Sequence, residues 1–372
     1  MADDNGSKKA ATIPGNDRKC PNCGGTLTYD PKSEKLFCSL CEKYKEITYE
    51  AHEDQKVEGI AYNDILNSNR ATLGDKCRLL SCDGCGAELI YDSAQISGSC
   101  PFCGSTNIIP AASAGSIMRP TGIIPFSVAE ERARASFQRY LEEELFFPKL
   151  KHYDLENLFP VYLPYFSFDT DTESDYQIEI GYRDSDNNII YKPKSGSYER
   201  SFSDIKVFAD SKAHNGQINR IREFRPSSIR PFHPDYMAGY YAERNSMTLK
   251  HGFEVARYET SKVLDKAIPK HALREFKGDK YQNLRYKTEY SKTKYKYILA
   301  PFYLASVNYK GKKYDVAING NTGEVASEMI STRQNTGEVD YGITYNSEKI
   351  KYLLIYLGIA AVACLITFLL CK

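Results

Sequence analysis

Tryptophan is absent from this 372-residue chain, and histidine (6) and methionine (5) are scarce. The six histidines stand apart with no paired spacing, so an imidazole-based metal or proton-transfer centre is not signalled. His52-Glu53 lacks the second histidine of an H-E-x-x-H helix. No G-x-x-x-x-G-K-[ST] occurs, so P-loop ATPase or helicase activity is not expected, and no G-x-S-x-G nucleophile elbow is present. Ser291 and Lys294 match S-x-x-K, but they lie in a strand-like lysine run without companion motifs. Asp169, Asp171, Glu173 and Asp175 alternate as in a cation loop yet lack its glycine, which reads as a solvated acidic turn. Residues 1–15 contain no apolar stretch of the kind a secretory leader carries. Excess charge is missing as well, with 49 Lys and Arg against 48 Asp and Glu. These absences point away from an enzyme; an unusual pocket in the body of the chain is the open alternative.

Cysteine is what the chain does have. Eight of its eleven cysteines form four C-x-x-C pairs, Cys20/Cys23, Cys38/Cys41, Cys82/Cys85 and Cys100/Cys103. Both modules read C-x2-C-x14-C-x2-C, an internal repeat with matching hairpin arms at 26–30 and 88–92 and return strands at 35–37 and 95–97. Each C-x-x-C aims two sulfurs at one point, and the glycines after Cys23, Cys85 and Cys103 suit turns that need positive φ. A unit of this size buries too little apolar surface to fold alone, so a metal is expected to supply the folding free energy. Four thiolates leave no open position for water or substrate, which reads as one structural Zn2+ per module. Iron in a rubredoxin-like site and a redox dithiol are the alternatives.

Charge within the modules bears on what they touch. Residues 82–109 hold Asp83, Glu88 and Asp92 and no Lys or Arg, while Lys19, Lys32, Lys35, Lys43 and Lys45 offset Asp30, Glu34, Glu42 and Glu46 in the first module. Neither makes the basic stripe that phosphate binding requires, so the modules read as protein-docking knobs.

Residues 352–370, YLLIYLGIAAVACLITFLL, carry no charge. At 1.5 Å per residue such a run spans about 28 Å, which predicts a transmembrane helix over 350–371. Lys349 and Lys351 before it, together with reduced cysteines, place the N-terminal side in the cytosol. The expectation is a tail-anchored, single-pass protein of the cytoplasmic membrane, its polar 331–349 segment serving as a tether.

The 29 tyrosines of the whole chain favour β-rich structure with rings standing on sheet faces. A capping box at Ser127 and Glu130 opens an amphipathic helix running to Pro148. Residues 158–168 suit a buried strand kinked at Pro160 and Pro164, with strand alternation at 176–182, 189–191 and 203–208. A helix is expected over 253–267, stopped before Pro269, and a hairpin pairs 302–309 with 314–319, followed by a short strand at 324–326. The fold class is α+β, mostly antiparallel. Its divisions are a disordered 1–17, ribbon 1 at 18–50, a linker at 51–76, ribbon 2 at 77–110, the body at 119–330, then tether and anchor.

Residues 244–313 carry seventeen Lys and Arg against six acids, with Tyr281, Tyr286, Tyr290, Tyr295 and Tyr297 interleaved. Three readings stay open: tyrosines packing inward beneath solvated lysines, attraction to anionic headgroups, or stacking of single-stranded nucleic acid.

The order of these parts resembles a family of bacterial membrane-anchored zinc-ribbon proteins associated with phage-shock-type envelope stress systems. The resemblance rests on Cys20-Pro-Asn-Cys23-Gly-Gly, Cys100-Pro-Phe-Cys103-Gly, Val161-Tyr-Leu-Pro164-Tyr-Phe, Asn308-Tyr-Lys-Gly-Lys-Lys-Tyr314 and Ile318-Asn-Gly-Asn-Thr-Gly323-Glu-Val325. It implies the eight paired cysteines as zinc ligands. It also implies a membrane-anchored adapter that recruits flotillin-like and phage-shock-type scaffold proteins at the cytosolic face of the bilayer. Members are often labelled primosomal helicase-like, a label that the missing nucleotide site does not support here. The expected function is therefore non-enzymatic, tethering partner proteins; nucleic-acid binding through 244–313 is the alternative.

Overall fold

Short strands and turns of the cysteine modules open the chain, and three very long strands organise its body. The computed structural model describes residues 18–48, 57–63, 77–92, 99–111, 118–143, 154–210, 217–221, 224–309 and 312–327. Two units, Met1–Ala326 and Ser327–Lys372, divide the chain; the second lies, beyond Ser327, outside the described residues, as do residues 1–17.

In chain order, β1 (Leu27–Asp30), β2 (Lys35–Cys38) and β3 (Lys43–Lys45) form a separate three-stranded antiparallel sheet. A twelve-stranded sheet takes up the remaining strands. These begin with β4 (Ile60–Ala61), β5 (Cys77–Cys82), β6 (Glu88–Asp92), β7 (Ile108–Pro110) and β8 (Gly122–Ile123). Helix α1 (Glu130–Glu143) precedes β9 (Asp154–Arg183) and β10 (Ile189–Phe208). Next come β11 (Arg230–Pro231), β12 (Tyr241–Glu243), helix α2 (Leu249–Glu275), β13 (Lys280–Tyr309), β14 (Lys312–Asn319) and β15 (Val325–Ser327). The class is α+β with mostly antiparallel pairing.

β9 and β13 pair antiparallel from Gly181 opposite Lys280 to Asp154 opposite Asn308. At about 3.3 Å per residue this ladder is on the order of 100 Å long. Bulges interrupt it, two of them near Asn283 (φ +54°) and Lys292 (φ +48°), which adopt the left-handed conformation. Such bulges raise the local twist and let so long a ladder coil instead of splaying. β10 pairs with the other edge of β9, making a three-stranded arm.

Burial along β9 explains its two halves. Residues 161–168 are buried throughout, because both faces are covered. Val161, Leu163 and Tyr165 join Phe302, Phe224 and Ile298 on one side; on the other, Tyr162 meets Phe126 and Phe166 meets Tyr297. From 170 to 180 the pattern alternates. Tyr176, Ile178 and Ile180 pack under Leu264, Ile268 and Ala272 of α2, while Glu173, Asp175 and Gln177 face water. The acidic alternation is therefore the wet face of a strand, not a turn. The strands expected at 158–168 and 176–182 fuse into β9, and those at 189–191 and 203–208 into β10. Pro164 is tolerated inside β9 because its carbonyl accepts from Ala209 N–H (2.8 Å), so its missing donor falls on that side and not on the β13 side.

Helix α2 also exceeds its expected end. Thr248 caps it by accepting from His251 N–H (3.3 Å), and the helix continues through the buried Pro269 to Glu275. Proline inside a helix costs about 3 kcal/mol; burial of Leu264, Ile268 and Ala272 on either side of it against the arm offsets that cost. Ser127 does not act as the expected cap either, since its hydroxyl donates to the Asn321 carbonyl (3.0 Å). The expected hairpin is present, with Phe302 opposite Asn319 and Tyr309 opposite Lys312. The return strand expected at 95–97 and the end of the first helix at 144–148 lie outside the described residues.

The transmembrane helix expected over 350–371 also lies outside the described residues, and among the described residues no helix is long and apolar enough to cross a membrane. Both α1 and α2 carry charged side chains along their length and bury only one face. The architecture is corrected accordingly, from a tail-anchored protein to an α+β body with two cysteine clusters. The expected single-pass placement in the cytoplasmic membrane with a cytosolic N-terminus is set aside with it.

Gly320 marks a tight point of the core. Its carbonyl accepts from Ser127 and Val128 N–H (3.0 and 2.9 Å), and a Cβ there would lie 2.5 Å from the Phe126 ring and 2.9 Å from Pro301 Cβ. Gly320→Ala should destabilise the protein by about 1–3 kcal/mol through overpacking, read as a lower urea midpoint at unchanged slope.

Candidate metal centres

All four C-x-x-C pairs close on one turn. The N–H four residues after the first cysteine donates back to its carbonyl: Gly24 to Cys20, Glu42 to Cys38 and Gly86 to Cys82 at 2.8 Å, Gly104 to Cys100 at 2.9 Å. The donor residue is left-handed each time, with φ of +73°, +55°, +72° and +75°. Glycine adopts this conformation freely. Glu42 holds it against a cost of about 1–2 kcal/mol.

The turns gather the sulfurs into two clusters, Cys20, Cys23, Cys38 and Cys41, and Cys82, Cys85, Cys100 and Cys103, with all four ligand atoms of each within 4.8 Å of one another. Cys20 and Cys41 Sγ are 3.5 Å apart, as are Cys23 and Cys38; the matching pairs Cys82/Cys103 and Cys85/Cys100 stand at 3.6 and 3.7 Å. A tetrahedron with metal–sulfur bonds of about 2.3 Å has edges of about 3.8 Å. A disulfide would need about 2.05 Å, and all eight thiols are free. The geometry of each cluster can thus chelate one metal ion.

Backbone donors prepare the sulfurs for negative charge. The N–H of Cys41 leads in holding the Cys38 thiol below its ordinary range, with the Leu40 N–H adding to it. The Asn22 side chain leads in doing the same for Cys41. Burial opposes ionisation of Cys82, yet the N–H groups of Cys85 and Gly84 bring it to about 7. Their neighbours move the other way. Burial raises Cys85 and Cys100, and the sulfurs of Cys41 and Cys38 push Cys23 up to about 12 although the Gly25 N–H favours its thiolate. Four sulfurs in one cage cannot all become anionic unaided; a dication at the centre removes the conflict by stabilising every thiolate.

Neither module hangs free as a knob. In ribbon 1 the buried Tyr29 donates its hydroxyl to the Phe126 carbonyl (2.9 Å) and its N–H to the Ala238 carbonyl (2.9 Å), and meets Tyr236 edge-on at 5.5 Å. Arg18 donates to the Pro234 carbonyl (2.6 Å) and lies 3.7 Å from Asp235, with both charges buried. In ribbon 2, β6 pairs with β12, placing Ala242 opposite Ile90, and Arg244 bonds Glu88 at 3.0 Å. Arg18, Tyr29 and Arg244 carry no local sequence signal; only their long-range partners reveal them.

The basic stretch resolves toward packing. Tyr295 and Tyr297 are buried, Tyr286 donates to Asp265 (2.6 Å), and Tyr290 lies under Arg257 at 4.8 Å. Lys292 and Lys296 pair with Asp171 and Asp169 at 3.0 and 3.3 Å. Four of the five tyrosines are thus spent internally and offer no stacking platform.

Two substitutions test the turn. Glu42→Gly should stabilise ribbon 1 by up to about 1 kcal/mol, since relief of strain exceeds the added freedom of the unfolded chain. Gly104→Ala, whose Cβ would meet nothing within 4 Å, should destabilise ribbon 2 by about 1–2 kcal/mol from conformation alone. Thermal midpoints of the metal-loaded protein check both.

No family model matches the chain, and no solved structure matches it. It is similar to the uncharacterized protein YdjG of Bacillus subtilis, at 26% identity over 334 residues that cover 85% of this chain and 90% of YdjG. The resemblance to phage-shock-type envelope stress proteins is therefore not upheld. Flotillin-like and phage-shock-type scaffold partners and a lipid bilayer, which were expected from it and from the anchor, find no support and are set aside.

Proposed function

We propose that this protein is a non-enzymatic adapter whose eight paired cysteines hold two structural zinc ions and thereby fix two rigid knuckle surfaces for partner proteins. The observation that carries the reading is the saturation of both clusters: each corner is a cysteine sulfur at tetrahedral spacing, so nothing is left to bind water or substrate. Zinc is favoured over iron because a closed four-thiolate cage supporting a small fold is its ordinary structural role.

Surface chemistry supports docking. Leu40, between two cysteines of ribbon 1, is 76% exposed and Tyr44 on β3 55%, while Ile109 projects from ribbon 2 at 47%. Large apolar side chains held outward on a metal-stiffened turn lose little entropy when covered.

Metal analysis of the purified full chain should find two zinc ions and a colourless solution; bound iron, or far less than two metal ions per chain, contradicts the reading. The double variant Leu40→Ser, Tyr44→Ser should keep both metals and change stability by less than about 0.5 kcal/mol, yet lose proteins that co-purify with the parent. Co-purification indifferent both to this variant and to chelation contradicts the adapter role.

A further inference from the structure

Helix α2 carries a run of cations in its C-terminal half. On its outer face Lys266, Lys270 and Arg274 succeed one another at four-residue intervals and are all exposed; by helical rise they stand about 6 Å apart. None makes an ion pair among the described residues, whereas the carboxylates nearby are engaged. Asp265 accepts from the Tyr286 hydroxyl at 2.6 Å, Glu275 accepts from the Tyr176 hydroxyl at 2.7 Å, and Asp279 lies 3.8 Å from Arg183. The three cations rim an open groove of about 480 Å³ whose floor is apolar, made by Pro269, Leu273 and Tyr281, the last 46% exposed. The groove ends where Gly278 passes flush over the sheet: a Cβ there would lie 2.1 Å from Ile180 Cγ2. Cations near a helix C-terminus complement its dipole, which accounts for positive charge but not for an uncovered apolar floor between the charges.

We propose that this groove docks an acidic segment of a partner protein, with carboxylates spaced to meet Lys266, Lys270 and Arg274 and a bulky apolar side chain seated on Pro269, Leu273 and Tyr281. The proposal rests on the adapter reading and names the chemistry of one partner. Charge complementarity fixes the sign of the occupant and its approach, and the buried apolar anchor supplies most of the affinity. A nucleic-acid strand fits less well, because Tyr286 and Tyr290 of β13 are engaged with α2 and the groove itself offers one exposed ring, Tyr281, for stacking.

Selection of a random displayed peptide library on the metal-loaded full chain tests the proposal. The triple variant Lys266→Glu, Lys270→Glu, Arg274→Glu serves for counter-selection, and oligo-dT is measured in parallel. Enriched peptides should be acidic with an aromatic or large aliphatic residue, should weaken with salt, and should lose about tenfold or more in affinity on the triple variant and on Tyr281→Ser. Enrichment without acidic bias, affinity untouched by charge reversal, or tighter binding of oligo-dT than of any selected peptide overturns it. Metal content and the loss of co-purifying proteins on Leu40→Ser, Tyr44→Ser are read in the same preparations. Their persistence alongside a failed selection overturns the groove alone, while their absence strikes the adapter reading itself.

Discussion

The pairing of β9 with β13 joins segments about a hundred residues or more apart along a ladder that takes in residues 154–181 of β9, and five further strands pair directly with one of these two. β10 and β12 pair with β9, while β4, β8 and β14 pair with β13. Contacts of such sequence separation are slow to form, because the closure entropy is met before the ladder returns any stabilisation. Once made, the ladder supplies a stiff spine. α2 lies along its distal half and the aromatic cluster of Phe126, Tyr162, Tyr240 and Tyr303 fills the proximal half.

The cysteine modules borrow that stiffness. Ribbon 2 extends the large sheet through β12, so its knuckles are continuous with the spine. Ribbon 1 keeps its own small sheet and docks through Tyr29 and the buried Arg18–Asp235 pair, an arrangement in which loss of one partner strands a buried charge. A knuckle closed by local hydrogen bonds, a sulfur cage and a docked hairpin presents Leu40 and Tyr44 in a fixed geometry. Rigidity of this kind suits a binding surface, since little ordering remains to be done when a partner arrives.

What could be read from residues alone tracked locality. The C-x-x-C-Gly turns and the 302–319 hairpin are set within a few residues, and they stand where spacing and turn chemistry placed them. Elements whose form depends on distant cover were misjudged. Pro160 and Pro164 suggested a short strand, yet β9 runs through them because the lost donor of Pro164 falls away from β13. Pro269 suggested a helix end, yet packing against the arm carries α2 six residues further. The Lys–Tyr alternation of 280–297 left three readings open, and only the position of α2 decides which residues meet water. The docking of the modules was invisible for the same reason: Tyr29 and Arg18 look ordinary until Phe126, Pro234 and Asp235 are brought beside them.

Hydrogen–deuterium exchange on metal-loaded and chelated protein tests most directly whether sulfur-bound metal holds the modules while the ladder holds the body. Chelation is predicted to abolish protection across 18–48 and 77–110 while amides of β9 and β13 between 161 and 180 and between 280 and 302 stay protected. Unchanged protection of the modules after complete removal of metal would contradict the account, as would disulfide linkage of those sulfurs in the native protein.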